Sequence, residues 1–138
     1  MNFSQIDRLG LLLGAVAGFA LGALWYGPLF GKAWMGALGV TKEDGKNVNM
    51  AKLMGGSFLT YLVLGIIIAL VLGMTPPHNE SGYCWQQGAQ IGALVGLAST
   101  ATVFNNALYE MKPLKLMLIN GVYALLNGAI IGAVIGAV

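Results

Sequence analysis

Long apolar stretches alternate with short polar segments along the whole chain. Four apolar stretches cover residues 9–29, 53–74, 88–108 and 116–138, and none of them contains Asp, Glu, Lys, Arg or His. A helix of about 20 residues is long enough to cross the hydrocarbon core of a bilayer. The pattern therefore predicts an all-α, polytopic membrane protein in which residues 1–138 form one domain with four transmembrane helices.

Glycine recurs at every fourth position within three of these stretches. The positions are Gly10, Gly14, Gly18 and Gly22 in the first stretch, Gly88, Gly92 and Gly96 in the third, and Gly128, Gly132 and Gly136 in the fourth. Small residues at this spacing let helix backbones approach closely in lipid, where association depends on van der Waals contact. We expect them to be the helix-packing positions of a glycine-zipper bundle. Because they offer more close-packing surface than four short helices need, we also expect a homo-oligomer.

Hydrophobic residues make up 57% of the chain and charged residues 9%, against about 45–50% and about 25% in soluble domains. This composition argues against a soluble fold.

The distribution of positive charge predicts the orientation in the membrane. The lysines all lie between the first and second spans or between the third and fourth: Lys32, Lys42, Lys46, Lys52, Lys112 and Lys115. On the opposite side the positive charges are only those of Arg8 and the amino terminus. Because cytoplasmic loops are rich in Lys and Arg, both termini are expected outside.

Membrane-flanking lysines also account for the net charge of +2, so no nucleic-acid partner is expected.

Polar side chains form a stripe on each of the last two spans, away from the glycines. At about 100° per residue, Ser99, Thr102 and Asn106 share one side of the third span. Asn120, Tyr123 and Asn127 share one side of the fourth. These six residues are the candidate ligand-binding positions.

Three interpretations of the polar stripes remain open. The side chains could join helices by hydrogen bonds, line a pocket for a lipid headgroup or amphipathic molecule, or line a path for a solute. A proton-coupled path is disfavoured, since carriers of that kind place ionisable residues within their spans.

The sequence offers no constellation for catalysis or metal binding. His78 and Cys84 lie in the outer loop, whereas Glu43, Asp44 and Glu110 are predicted on the opposite side of the bilayer. A nucleophile or base needs a partner close by, and a zinc site needs ligands at standard spacing. We therefore expect no enzyme activity, no metal and no cofactor. Glu110 lies next to Lys112 and Lys115 in the sequence, where a surface ion pair would explain it.

The connector of residues 30–52 is the longest polar segment. Trp34 and Leu38 are four residues apart and follow Lys32, which favours a short helix in the membrane interface. A docking site for a soluble partner is the alternative.

Several motifs together resemble a bacterial membrane family known as domain of unknown function 1761. They are residues 25–35 (WYGPLFGKAWM), 105–110 (NNALYE), 112–116 (KPLKL) and 119–123 (INGVY), and the likeness extends over essentially the whole chain. The resemblance implies a four-helix integral membrane protein of a prokaryote, hence of a bacterial inner membrane. It implies no activity.

The sequence thus favours a small non-enzymatic, homo-oligomeric scaffold or accessory subunit that holds membrane lipid, with or without a larger membrane complex around it. The alternative is a carrier or channel for a small neutral or amphipathic solute.

Overall fold

The computed structural model describes residues 7–138, and every regular element in that part of the chain is helical. The elements are α1 (Arg8–Leu24), a π-helical turn (Trp25–Leu29), α2 (Gly31–Leu38), α3 (Met50–Met74), α4 (Trp85–Tyr109) and α5 (Leu114–Ala137). Four segments are long and apolar enough to cross a membrane: Arg8–Leu29, α3, α4 and α5. The all-α, multi-pass fold class is therefore confirmed. The predicted domain starts at residue 1, and its residues 1–6 lie outside the described part.

Side chains before the helices accept hydrogen bonds from the first turn. The Asp7 carboxylate accepts from the Leu9 amide at 3.1 Å, and the Asn49 side chain accepts from the Lys52 amide at 3.1 Å. These caps satisfy backbone N–H groups that have no partner inside the helix. Because Asn49 caps α3, that helix begins at Met50, before the apolar stretch itself begins.

The first span ends in a kink that redirects the chain. Gly27 has non-helical torsions (φ −102°, ψ −105°) within the π-helical turn, and Pro28 follows it. Proline cannot donate the helical hydrogen bond, so a kink at this point is expected. The short helix α2 then runs to Gly39, whose φ of 80° suits glycine and ends the helix. The short helix predicted around Trp34 and Leu38 is present.

Helix α5 is the centre of the bundle. It contacts α1, α2, α3 and α4, and eleven of its residues are buried, whereas α1, α3 and α4 bury five, five and four. Ile131 on α5 and Ile68 and Leu72 on α3 are the largest fully buried side chains.

The glycines of α4 and α5 bring these two backbones into direct contact. A Cβ atom added to Gly92 would run into the carbonyl oxygen of Gly128, and one added to Gly132 into the carbonyl oxygen of Gly88. Neighbouring positions repeat the contact in the same way. The spacing therefore places backbone against backbone along most of the α4–α5 interface.

The glycines of α1 instead leave room for side chains of its neighbours. A Cβ on Gly14 would lie 3.3 Å from Ile131, and one on Gly22 would lie 2.9 Å from the hydroxyl oxygens of both Tyr61 and Tyr123. All ten glycines predicted for helix packing are buried inside the single chain. Close packing within the subunit therefore already uses these stripes.

Candidate functional site

Two hydroxyl groups meet in the interior of the bundle, between α3 and α5. The hydroxyl oxygens of Tyr61 and Tyr123 lie 2.6 Å apart, a hydrogen-bonding distance. Tyr123 is only 9% exposed. Both hydroxyl groups fit against α1 because Gly22 has no side chain there. A buried hydroxyl needs a partner, and each of these supplies the other's.

Asn127 lies one turn of α5 further along the same side and is 3% exposed. Its Oδ1 atom is buried and accepts no hydrogen bond from the described residues. This atom faces α1, where a Cβ on Gly18 would lie 2.8 Å from it. Asn127 thus lies in the core between α1 and α5.

The π-helical turn is anchored to the first turns of α5. The Tyr26 hydroxyl donates to Asn120 Oδ1 at 2.9 Å, and the Trp25 indole N–H donates to the Ile119 carbonyl at 3.2 Å. The rings of Tyr26 and Tyr123 also pack edge to face, with centroids 4.9 Å apart. These contacts hold α2 beside the lysine-rich end of α5, where α2 contacts α5.

A half-open pocket of about 330 Å³ lies where α2 meets the ends of α4 and α5. It is lined by Trp34 and Leu38 of α2, by Val103, Asn106 and Ala107 of α4, by Glu110 and Lys112 of the intervening turn, and by Leu116, Met117 and Asn120 of α5. Apolar side chains form most of the wall. Two amides and two opposite charges supply its polar part.

The turn between α4 and α5 sets where the two charges lie. The Lys112 amide bonds to the Ala107 carbonyl at 2.9 Å and the Met111 amide to the Leu108 carbonyl at 3.1 Å. With Met111 at a φ of 52°, this is the Schellman ending of a helix. Glycine is the usual residue at such a position, because it has no Cβ to clash.

Glu110 forms no ion pair with Lys112 or Lys115, contrary to the expectation from their closeness in the sequence. Among residues 7–138, the ion pair that forms joins Lys46 to Glu43 at 2.8 Å. The chain reverses at Met111, between Glu110 and Lys112, and their charged groups are not within 4.0 Å of each other. Both residues line the pocket.

The six candidate residues fall into three separate environments. Asn106 and Asn120 line the pocket, whereas Tyr123 and Asn127 lie in the core against α1 and α3. Ser99 and Thr102 bond back to carbonyls of their own helix, those of Val95 and Ala98, at 3.0 and 3.4 Å.

The two polar stripes do not face each other along most of their length, and the glycines explain why. Glycine contacts bring one side of α4 against one side of α5, and Thr102 and Asn106 lie outside that contact and are exposed; the two stripes share the pocket wall at Asn106 and Asn120. On α5 the polar stripe instead meets the first hairpin.

Sequence reasoning did not include Tyr26, Trp34, Glu110 or Lys112 among the site residues. The spacing of Trp34 to Leu38 beside a lysine could have indicated that Trp34 belongs to a site at the membrane interface. The positions of Glu110 and Lys112 could have indicated them too, since a short turn between two helices places its charged residues at the mouth of a pocket between those helices.

Two further regions bear on metal or ligand chemistry. No group of three His, Cys, Asp or Glu that could hold a metal occurs in the part of the chain that the structure describes. An open groove of about 520 Å³ runs along one side of residues 48–60, including Lys52, Gly56 and Thr60.

Comparison with known protein families shows what the chain is similar to. The family model described as "Protein of unknown function (DUF1761)" matches residues 9–136. No curated protein and no solved structure matches the chain.

Proposed function

Because this chain belongs to the DUF1761 family of unknown function, we propose a function from its own geometry: a non-enzymatic membrane scaffold or accessory subunit that holds a lipid. The pocket between α2, α4 and α5 is the observation that carries this proposal. Its position at the lysine-rich end of the bundle supports a location at headgroup level, where Trp and Lys side chains commonly lie.

The size of the pocket supports a headgroup as its occupant. Small-molecule pockets are usually about 300–1,000 Å³, and 330 Å³ lies at the lower end of that range. A headgroup and the first carbons of its glycerol fit such a volume, and the acyl chains stay in the bilayer. Leu38, Leu116 and Met117 would contact those first carbons, while Asn106 and Asn120 offer hydrogen bonds to the polar part.

The lysine asymmetry supports an orientation with both termini outside and the pocket facing the cytoplasm. In a bacterial cell the corresponding membrane is the inner one.

Helix α3 offers the surface that supports assembly into a homo-oligomer. An added Cβ on Gly55 or Gly56 would meet no atom within 4 Å, and Thr60 one turn further is exposed. Glycine inside a helix costs about 1 kcal/mol relative to alanine. At Gly55 and Gly56 no close packing with the described residues offsets this cost, whereas a helix of a second copy would supply such packing.

The position of Asn127 favours a scaffold over the alternative carrier or channel. A solute path would need Asn106 and Asn127 on one continuous wall. Asn106 lines the pocket, and Asn127 is in the core.

Native mass spectrometry of gently extracted protein tests the lipid site. The variant Asn106→Trp fills the pocket from an exposed position on its wall, so it should lose the lipid that the wild type carries. Thr102→Trp is the matched control, since Thr102 is exposed one turn earlier on α4 and is not on that wall. A wild type without lipid, or equal lipid in all three proteins, would contradict the proposal.

Light scattering of the detergent-solubilised protein tests the assembly. Gly56→Leu should dissociate the oligomer without destabilising the subunit, because an added Cβ would have no atom of residues 7–138 within 4 Å. Gly36→Leu on α2, which also has open space around it, should have no effect. An unchanged oligomer in Gly56→Leu would exclude α3 as the interface.

A further inference from the structure

Glu110 and Lys112 place one negative and one positive charge on the wall of the same pocket. Neither belongs to an ion pair among the described residues. The two residues flank the left-handed turn at Met111, and their charged groups are not within 4.0 Å of each other. Both therefore remain available to a ligand.

From this arrangement we propose that the pocket selects a zwitterionic phospholipid headgroup, a phosphodiester that carries an ammonium group. The proposal rests on the lipid-binding function proposed above and names its ligand class. Lys112 binds the phosphate and Glu110 binds the ammonium group. The amides of Asn106 and Asn120 donate hydrogen bonds to the phosphate oxygens.

The unpaired carboxylate provides the discrimination between lipid classes. An anionic headgroup such as phosphoglycerol would bring its phosphate to Lys112 but would leave Glu110 beside a second negative charge. An uncharged diacylglycerol would leave both charges without a partner. Specificity of this kind comes from the cost that the wrong ligand meets as well as from the contacts of the right one.

Trp34 adds a second contact for a cation. Its ring is held edge to face against Tyr26, with centroids 5.5 Å apart, and it lines the same pocket. A tryptophan ring attracts ammonium groups, quaternary ones included. Phosphatidylethanolamine and phosphatidylcholine therefore share the chemistry that the pocket recognises.

Competition among short-chain lipids tests the proposal on the full-length protein. The protein is freed of lipid by detergent exchange and then titrated, under native mass spectrometry, with dioctanoyl phosphatidylethanolamine, phosphatidylcholine, phosphatidylglycerol or diacylglycerol. The zwitterionic lipids should bind on the order of three- to tenfold more tightly than phosphatidylglycerol, the size of a partly screened charge contact. Binding of phosphatidylethanolamine alone would assign the preference to N–H donors on the ammonium group, and binding of both zwitterions would assign it to the charge.

Charge-neutralising variants separate the two roles. Glu110→Gln should remove the preference by improving phosphatidylglycerol relative to the zwitterions, whereas Lys112→Gln should weaken every phospholipid. Lys115→Gln is the control, because Lys115 is exposed and is not on the pocket wall. Equal binding of phosphatidylglycerol by the wild type, or an unchanged ratio in Glu110→Gln, would overturn the proposal.

The Asn106→Trp variant distinguishes this failure from failure of the lipid site as a whole. Lipid binding that is unselective but still blocked by Asn106→Trp refutes only the headgroup class. Binding that Asn106→Trp leaves intact refutes the site.

Discussion

A single methyl group on Gly96 should separate α4 from α5. The Cβ of Gly96→Ala would lie 2.5 Å from the Ala124 carbonyl oxygen and 2.9 Å from Leu125 Cα, and real Cβ atoms essentially never come within 3.0 Å of a neighbour. Both neighbours are backbone atoms of α5. They cannot rotate away as a flexible side chain would, so the helices themselves must move.

The size of the effect follows from that displacement. Relieving the contact moves α4 outward by about half an ångström, and a gap of that size forfeits roughly a quarter of the dispersion energy of each contact along the interface. Overpacking of this kind typically costs about 1–3 kcal/mol. Alanine returns up to about 1 kcal/mol of helix propensity. We expect Gly96→Ala to lower the free energy of unfolding by up to about 2 kcal/mol relative to the wild type, and by about 1–3 kcal/mol relative to an alanine variant with the same propensity gain and no overpacking.

Two alanine variants complete the series. Gly36→Ala is the matched control, since it has the same gain in helix propensity and no atom within 4 Å. Gly14→Ala should be intermediate, because its Cβ would lie 3.3 Å from Ile131 and Ile135 atoms, most of them in side chains that can adjust. Unfolding in mixed micelles, followed by circular dichroism, measures the three free energies. A Gly96→Ala protein as stable as Gly36→Ala would refute the backbone-contact reasoning.

Four further predictions concern single positions. Met111→Gly should raise the free energy of unfolding by about 1 kcal/mol in the same assay, since the left-handed φ of 52° strains a side chain that is 91% exposed, and an unchanged value would show that the turn carries no strain. Tyr61→Phe and Tyr123→Phe should each cost about 0.6 kcal/mol, and a double-mutant cycle without coupling would show that the 2.6 Å contact contributes nothing. Asn127→Leu should be neutral or stabilising in thermal melts, because it removes a buried oxygen that has no hydrogen-bond partner among residues 7–138, whereas a large loss would reveal a hydrogen bond to Oδ1. The half-buried thiol of Cys84 should react with a membrane-impermeant maleimide in intact cells, and labelling only after lysis would reverse the proposed orientation.

The class of this fold could be predicted from the sequence because it depends on properties of each segment alone. Length and apolarity make a segment able to cross a bilayer, and four segments have both. The recurring glycines likewise mark positions of close approach, and all ten are buried. Trp34 and Leu38 predicted the short helix α2 by their spacing.

The neighbour of each helix face could not be obtained in this way. Helical periodicity gives the angle between Asn106 and Gly96 on α4, but it does not say which helix lies at that angle. Contacts between residues far apart in sequence determine which helix lies there. Because the glycines of α4 pack against those of α5, the remaining sides of α5 face α1 and α3, and Asn127 is therefore buried in the core.

The pocket depends on tertiary structure most of all. Its wall forms because the kink at Gly27 and Pro28 brings α2 against the first turns of α5, and because the turn at Met111 brings Glu110 and Lys112 to the same place. The sequence pattern predicts that the lysines lie at one end of the bundle. It does not predict that the pocket residues come together around one cavity, because that requires three separate segments to be fixed relative to one another. Their relative positions depend on the packing of the whole chain.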